Sequence, residues 1–244
     1  MPVEASNGPR LEAAGDGMWR LRGWASRRIA AGVLDRHADP SRLADHLPGA
    51  MTMMGAAQVH GGSAALIEPA YAAAASREAG AVTSVPGCDA LLTSAAGAAL
   101  LVRSADCLPV WFADPSRGAV GVAHAGWRGL AASLLPRVVA AFRRAYRSES
   151  RDLSVAIGPG IRPCCFEVGP DFSARFGPFV RGHGETRTCD LIGIAIEQLR
   201  GCGVKPARIT DTRSCTSCET ERWFSLRREG PATGRLVSFI MLQP

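Results

Sequence analysis

An α+β fold follows from three observations on this 244-residue chain. Short apolar runs of strand length recur from Met18 to the C-terminus. Two longer stretches, Trp127 to Arg147 and Asp190 to Leu199, carry apolar residues at helical spacing. The two kinds of element do not alternate in a regular βαβ order, so helices are expected to cover mixed sheets in a layered α/β sandwich. One domain over residues 17–244 is expected, with a flexible tail over 1–16.

Met18 to Trp24 alternates apolar and polar residues and reads as a strand. Asp39-Pro40-Ser41 is a helix-start signature before a short helix, Arg42 to Leu47. Met51 to Val59 reads as a strand ending at His60, and alanine-rich residues 69–81 as a loop or short helix. Four strands follow: Ala90 to Thr93, Ala98 to Arg103, Leu108 to Ala113 and Gly118 to Ala123. Asp114-Pro115-Ser116-Arg117-Gly118 is turn chemistry and joins the last two in a hairpin. Leu130, Leu134, Leu135, Val138, Val139 and Phe142 then share a helical face. Pro136 requires either a kink there or a helix that starts near Ser133. Leu153 to Ile157 is a strand running into Gly158-Pro159-Gly160, and Asp190 to Leu199 is a helix closed by Gly201 or Gly203. Arg208 to Thr210 and Arg235 to Leu242 complete the strands.

The net charge of +6 comes almost wholly from arginine, since Lys205 is the only lysine. Such an excess suits a phosphate or nucleotide-like anion. No basic run is interleaved with aromatics, which argues against nucleic acid. No apolar run reaches membrane-spanning length, and the first 25 residues lack the apolar core of an export signal. With eight cysteines and no such signal, a cytoplasmic protein with reduced thiols is expected. Cys215-Thr216-Ser217-Cys218 has no second CxxC to complete a four-thiolate site, so its thiols read as adventitious.

The chemistry concentrates at three residues. Cys107, His124 and His60 each lie where a strand meets a turn, the two histidines beside glycines. Cys107 enters the first strand of the hairpin and His124 leaves the second, so antiparallel pairing makes them neighbours. A thiolate and two imidazoles form a three-ligand site for zinc, with a fourth position open to water or substrate. Asp106 is placed to orient a ligand or handle protons. The same residues also make a metal-free hydrolase, with Cys107 as nucleophile and His124 or His60 as base. These two readings are not separable by sequence. Copper is a third ligand-set match, but a multicopper cluster needs far more than five histidines, and no His-X-His pair is present. His37, His46 and His183 lie in polar segments expected to be exposed. Gly158 to Pro163 reads as a pocket wall without a Walker A lysine. Arg27, Arg28, Arg227, Arg228 and Arg235 are the arginines weighed as anion contacts, against a surface role for each.

Gln58-Val59-His60-Gly61, Ala105 to Val110 and Ala123 to Gly129 together resemble the signature motifs of one family. Ile157 to Ile161 with Phe166 to Gly169, and Trp223 to Arg228 with Thr233-Gly234-Arg235, extend the match. The family is that of the laccase-domain (YfiH-like) purine nucleoside phosphorylases, formerly called multicopper polyphenol oxidases. The resemblance implies a zinc site at His60, Cys107 and His124. It also implies phosphorolysis of adenosine, inosine, guanosine and S-methyl-5′-thioadenosine, and hydrolytic deamination of adenosine. Purine nucleosides and phosphate would then be the partners. Asp106 joins the three ligands as a catalytic residue, and Arg27, Arg28 and Arg227 are expected to supply positive charge to phosphate. The N-terminal third departs from the family pattern. Ser26 to Val33 is a faint counterpart of its Gly-Gly-Val-Ser stretch, and the Asn-Leu-Gly segment is missing. That departure motivates the remaining alternative, a non-catalytic nucleoside-binding member.

Overall fold

The central strands are apolar on both faces, which requires a covering layer on each side. In the computed structural model, which describes residues 9–75, 81–183 and 186–244, two mixed sheets pack face to face and helices cover the outside. The first strands are β1 (Arg10–Ala13), β2 (Met18–Arg22), β3 (Ile29–Leu34), β4 (Thr52–Ala56) and β5 (Ala64–Ile67). Next come β6 (Val82–Val85), β7 (Ala90–Thr93), β8 (Ala98–Ser104), β9 (Leu108–Asp114), β10 (Ala119–Ala125) and β11 (Ser154–Ile157). The last are β12 (Glu167–Val168), β13 (Val180–His183), β14 (Thr186–Cys189), β15 (Ile209–Asp211) and β16 (Leu236–Leu242). One sheet has the order β1-β2-β3-β16-β8-β4-β6, the other β15-β11-β9-β10-β7-β5, and β12-β14-β13 form a small third sheet.

Strand periodicity sorts the core into layers. Leu100, Val102 and Ile240 of the first sheet meet Leu91, Trp111 and Val122 of the second between the sheets. Alternate residues of the second sheet, Val110 and Phe112, pack outward on Val138 and Phe142 of the helix Leu134–Tyr146. Leu101, Phe239 and Met241 face the other way, under Leu43 and Leu47. Each fully buried side chain of this kind contributes roughly 1.5–3 kcal/mol.

The site depends on how the chain changes sheets. It leaves the first sheet and enters the second three times, from β4 to β5, β6 to β7 and β8 to β9. β4, β6 and β8 are parallel, so all three crossings occur at one end of the sandwich. The C-terminal end of β10 reaches the same place, since Ala123 pairs with Ala90 and Ala125 with Leu108.

The predicted hairpin is β9–β10, closed by Asp114, whose Oδ1 accepts from the backbone N–H groups of Ser116 and Arg117. The helical stretch is broken rather than kinked. Ser133 adopts a left-handed conformation (φ 58°) between Trp127–Ala131 and Leu134–Tyr146. Pro136 therefore falls in a first turn, where its missing N–H costs no hydrogen bond. Asp190 caps the helix Leu191–Gly201 through the N–H of Gly193. A helix covers Pro69–Ala74; residues 76–80 of that stretch, like residues 1–8, lie outside the described residues. The strand expected to reach Val59 ends at Ala56. Part of the expected tail is ordered, because Arg10–Ala13 pairs with Met18–Arg22 as an edge strand. His46 is buried rather than exposed, while His37 is exposed as expected and the side chain of His183 lies outside the described residues.

Candidate metal centre and its cavity

Cys107 precedes β9 by one residue, and His124 lies opposite Pro109 in the hairpin register. His60 comes from the crossing between β4 and β5. Their ligand atoms all lie within 4.8 Å of one another. The two imidazoles meet edge to face, with ring centroids 4.9 Å apart and planes at 87°. Gly126 makes room for the thiol: a Cβ there would sit 2.7 Å from the Cys107 sulfur. One sulfur and two nitrogens converging on one point, with His124 buried and His60 exposed, fit a zinc ion with an accessible position.

The residue that organises the cluster is Asp89, which sequence reasoning missed. It is completely buried on the crossing between β6 and β7. Its Oδ1 accepts from His124 Nδ1 at 3.1 Å and from the His60 backbone N–H at 2.9 Å. Its Oδ2 accepts from the Gly61 N–H at 2.7 Å. A carboxylate only accepts, so the proton on His124 sits at Nδ1 and the Nε2 lone pair is left for a metal. Burial works against the Asp89 charge, but His124 and the two amides hold its carboxyl below the usual range. Burial likewise opposes charge on His124, yet Asp89 and Cys107 outweigh it and raise its pKa to about 9. His60 is pushed the other way, lowered by burial and by the neighbouring His124.

The loops around the cluster are held in costly conformations. Gln58, His60 and Asp106 all have positive φ, at 59°, 57° and 93°. Gln58 anchors the first: its side-chain amide donates to the Arg103 carbonyl and accepts from the Arg103 N–H. Asp106 anchors its own turn. Its Oδ1 accepts from Thr216 Oγ1 at 2.7 Å and its Oδ2 from the Arg227 N–H at 2.7 Å. Both Asp106 oxygens are thus engaged away from the ligand cluster, and the histidine partner is Asp89.

The cluster opens into a cavity of about 710 Å³, lined by His60, Cys107, His124, Arg103, Arg235 and Leu226 among others. That volume suits a small-molecule ligand. The structure does not bring Arg27 and Arg28 here. They precede Ile29, which pairs with Leu242, whereas Leu236 and Ser104 mark the site end of the sheet. Arg27 lines a separate depression with Trp24 and Gln243. Arg227 is near the site through its backbone, but its guanidinium donates to the Glu167 carbonyl and stacks on Phe166 at 5.2 Å. The arginines at the cavity are Arg103 and Arg235. Arg103 carried no sequence signal, being one exposed position in an apolar strand.

A family model described as "Multi-copper polyphenol oxidoreductase laccase" matches residues 36–243. The chain belongs to this laccase family. Similar proteins include purine nucleoside phosphorylase YlmD of Geobacillus stearothermophilus, 38% identical over 167 residues, covering 65% of this chain and 61% of that one. Purine nucleoside phosphorylase YfiH of Escherichia coli is 35% identical over 162 residues, 63% of each chain. These alignments span less than two thirds of the relatives' own length. The crystal structure of the Geobacillus YlmD protein superimposes on this laccase-family chain with a TM-score of 0.85 at 27% identity, covering 97% of this chain and 100% of that one. The "multi-copper" in the family's description finds no second histidine cluster among the described residues.

Proposed function

We propose that this protein is a zinc-dependent purine nucleoside enzyme that performs phosphorolysis and deaminates adenosine by hydrolysis. Its substrates would be adenosine, inosine, guanosine and S-methyl-5′-thioadenosine. The observation that carries this reading is the His60–Cys107–His124 cluster opening into a nucleoside-sized cavity that also holds Arg103 and Arg235. Relatives named purine nucleoside phosphorylase support it.

A zinc ion held by the three ligands would supply Lewis acidity and lower the pKa of a bound water to about 7. The chain's own residues do the rest. Arg103 and Arg235 hold inorganic phosphate by charge. Leu43, Val82, Leu101 and Leu226 line the apolar side of the cavity and take the purine ring. Asp89 keeps the Nδ1 proton of His124 in place throughout. In phosphorolysis a phosphate oxygen bonds to C1′, the C1′–N9 bond breaks, and the base leaves with the electron pair and takes up a proton. In deamination water adds at C6 and ammonia leaves. Arg227 and Asp106 shape the wall through their hydrogen bond, and Arg27 and Arg28 take no part.

The test is product analysis with adenosine. Adenine and ribose 1-phosphate should form only when phosphate is present, and inosine and ammonia should form without it. Absence of both product sets from zinc-loaded protein defeats the reading.

One observation favours a second reading. Asp89 hydrogen-bonds His124, whose ring lies beside the Cys107 sulfur, an arrangement of the kind that activates a thiol nucleophile. A metal-free hydrolase would alkylate rapidly at Cys107 with iodoacetamide, as mapped by peptide mass. A zinc-bound thiolate resists.

A further inference from the structure

The remaining cysteines hold a second cluster. Cys164, Cys165, Cys215 and Cys218 place all four sulfur atoms within 4.8 Å of one another. The sequence shows only one CxxC; the fold supplies the partner pair, which is adjacent rather than spaced. Gly160 forms a parallel bridge with Cys215, and the Thr216 N–H donates to the Gly160 carbonyl. This pairing carries the Cys164–Cys165 turn onto the CxxC turn, so these thiols are not adventitious neighbours of a strand.

We propose that these four cysteines bind one zinc ion as a closed structural site. The sulfur separations carry the argument. Cys164 lies 3.7 Å from Cys215 and 3.5 Å from Cys218, and Cys165 lies 3.3 Å from Cys218. A tetrahedron built on Zn–S bonds of about 2.3 Å has edges of roughly 3.8 Å. A disulfide requires about 2.05 Å and joins only two of the four sulfurs. An iron–sulfur cluster spreads its cysteines around a multi-atom core, wider than this arrangement. Cys164 and Cys218 are exposed, which leaves a route for the ion. Thiolates are the ligands that soft metals select.

The location assigns the role. Thr216, inside the CxxC, donates to Asp106, which holds the turn before Cys107. The Thr216 and Ser217 carbonyls accept from Arg228, two residues from the cavity-lining Leu226. A metal here staples residues 158–165 to 214–218 and fixes the wall of the catalytic cavity without touching substrate.

The experiment is zinc analysis of tag-free protein purified without chelator. Wild type should hold about two zinc ions per chain, and His60→Ala/Cys107→Ala/His124→Ala should keep about one. Cys164→Ser/Cys218→Ser should also keep about one and melt on the order of 5 °C or more below wild type. Where the cysteine variant fails to fold, the triple variant decides. Its remaining zinc should be released by a thiol-blocking mercurial, and cobalt(II) in its place should show the charge-transfer bands of tetrahedral thiolate coordination. A triple variant with no zinc overturns the proposal. So do iron in place of zinc, a disulfide within the cluster, or a cysteine variant that folds with the full wild-type metal content.

Discussion

The two sulfur-bearing clusters meet at Asp106, which adjoins Cys107 of one and accepts from Thr216 in the CxxC turn of the other, and they differ in ligand number and setting. The His60–Cys107–His124 cluster is built at the ends of the sandwich strands, braced by the buried Asp89, and faces a cavity. It offers three ligands, which leaves room for a substrate. The cysteine cluster is built on two surface turns and offers four, which closes the coordination sphere. Asp106 connects them, accepting from Thr216 Oγ1 through its side chain and from the Ile161 N–H through its carbonyl. Ligand number, more than the presence of metal-binding residues, separates a site with an open position from a closed one.

The largest effect that would sharpen this contrast comes from Cys107→Ala or His124→Ala. Either should reduce phosphate-dependent nucleoside cleavage by more than about 100-fold, since a ligand is lost and not merely its support. Initial-rate assays read this directly, and the fold should survive in circular dichroism.

A pH effect comes next. In metal-free protein His124 is raised from 6.5 to about 9. The stabilisation its charged form draws from Asp89 and Cys107 is complete below pH 6.5 and is lost as pH rises through 9. The loss should amount to about 3 kcal/mol, at about 1.4 kcal/mol per unit for a side chain this buried. Urea unfolding at pH 6 and pH 10 measures it. Zinc-saturated protein carries no such proton and should lack this dependence in that window.

Asp89→Asn keeps the shape but removes the charge behind His124. Metal affinity or turnover should fall by about 10–100-fold. Gly126→Ala forces a methyl group to 2.7 Å from the Cys107 sulfur. The cost should be about 1–3 kcal/mol, shared between stability and zinc affinity and measured by thermal shift with and without metal. The smallest effects belong to the arginines. Arg27→Ala and Arg28→Ala should leave the KM for phosphate unchanged, whereas Arg235→Ala should raise it. A raised KM in the first two would show that the far end of the sheet contributes to the site.

The hairpin was legible because two apolar runs flank unmistakable turn chemistry, and its register followed from the seventeen-position offset from Cys107 to His124. His60 was legible as a histidine beside glycines after an apolar run. Asp89 was not. A single aspartate before a strand has many ordinary explanations, and its role exists only because three sheet-to-sheet crossings end together. Cys164 and Cys165 were missed for a similar reason, since their partner pair arrives through the Gly160–Cys215 bridge. Arg27 and Arg28 were misplaced because charge alone does not say which end of a strand a residue occupies. Local patterns revealed elements and their ends; the meeting of those ends is a property of topology.

The most direct test of the catalytic assignment is hypoxanthine release from inosine, measured against phosphate concentration alongside zinc content in wild type and Cys107→Ala. The account predicts phosphate-dependent release by zinc-loaded wild type, and loss of both release and the cavity zinc in the variant. Release that persists in Cys107→Ala, or a wild type that holds cavity zinc and releases no base, would contradict it.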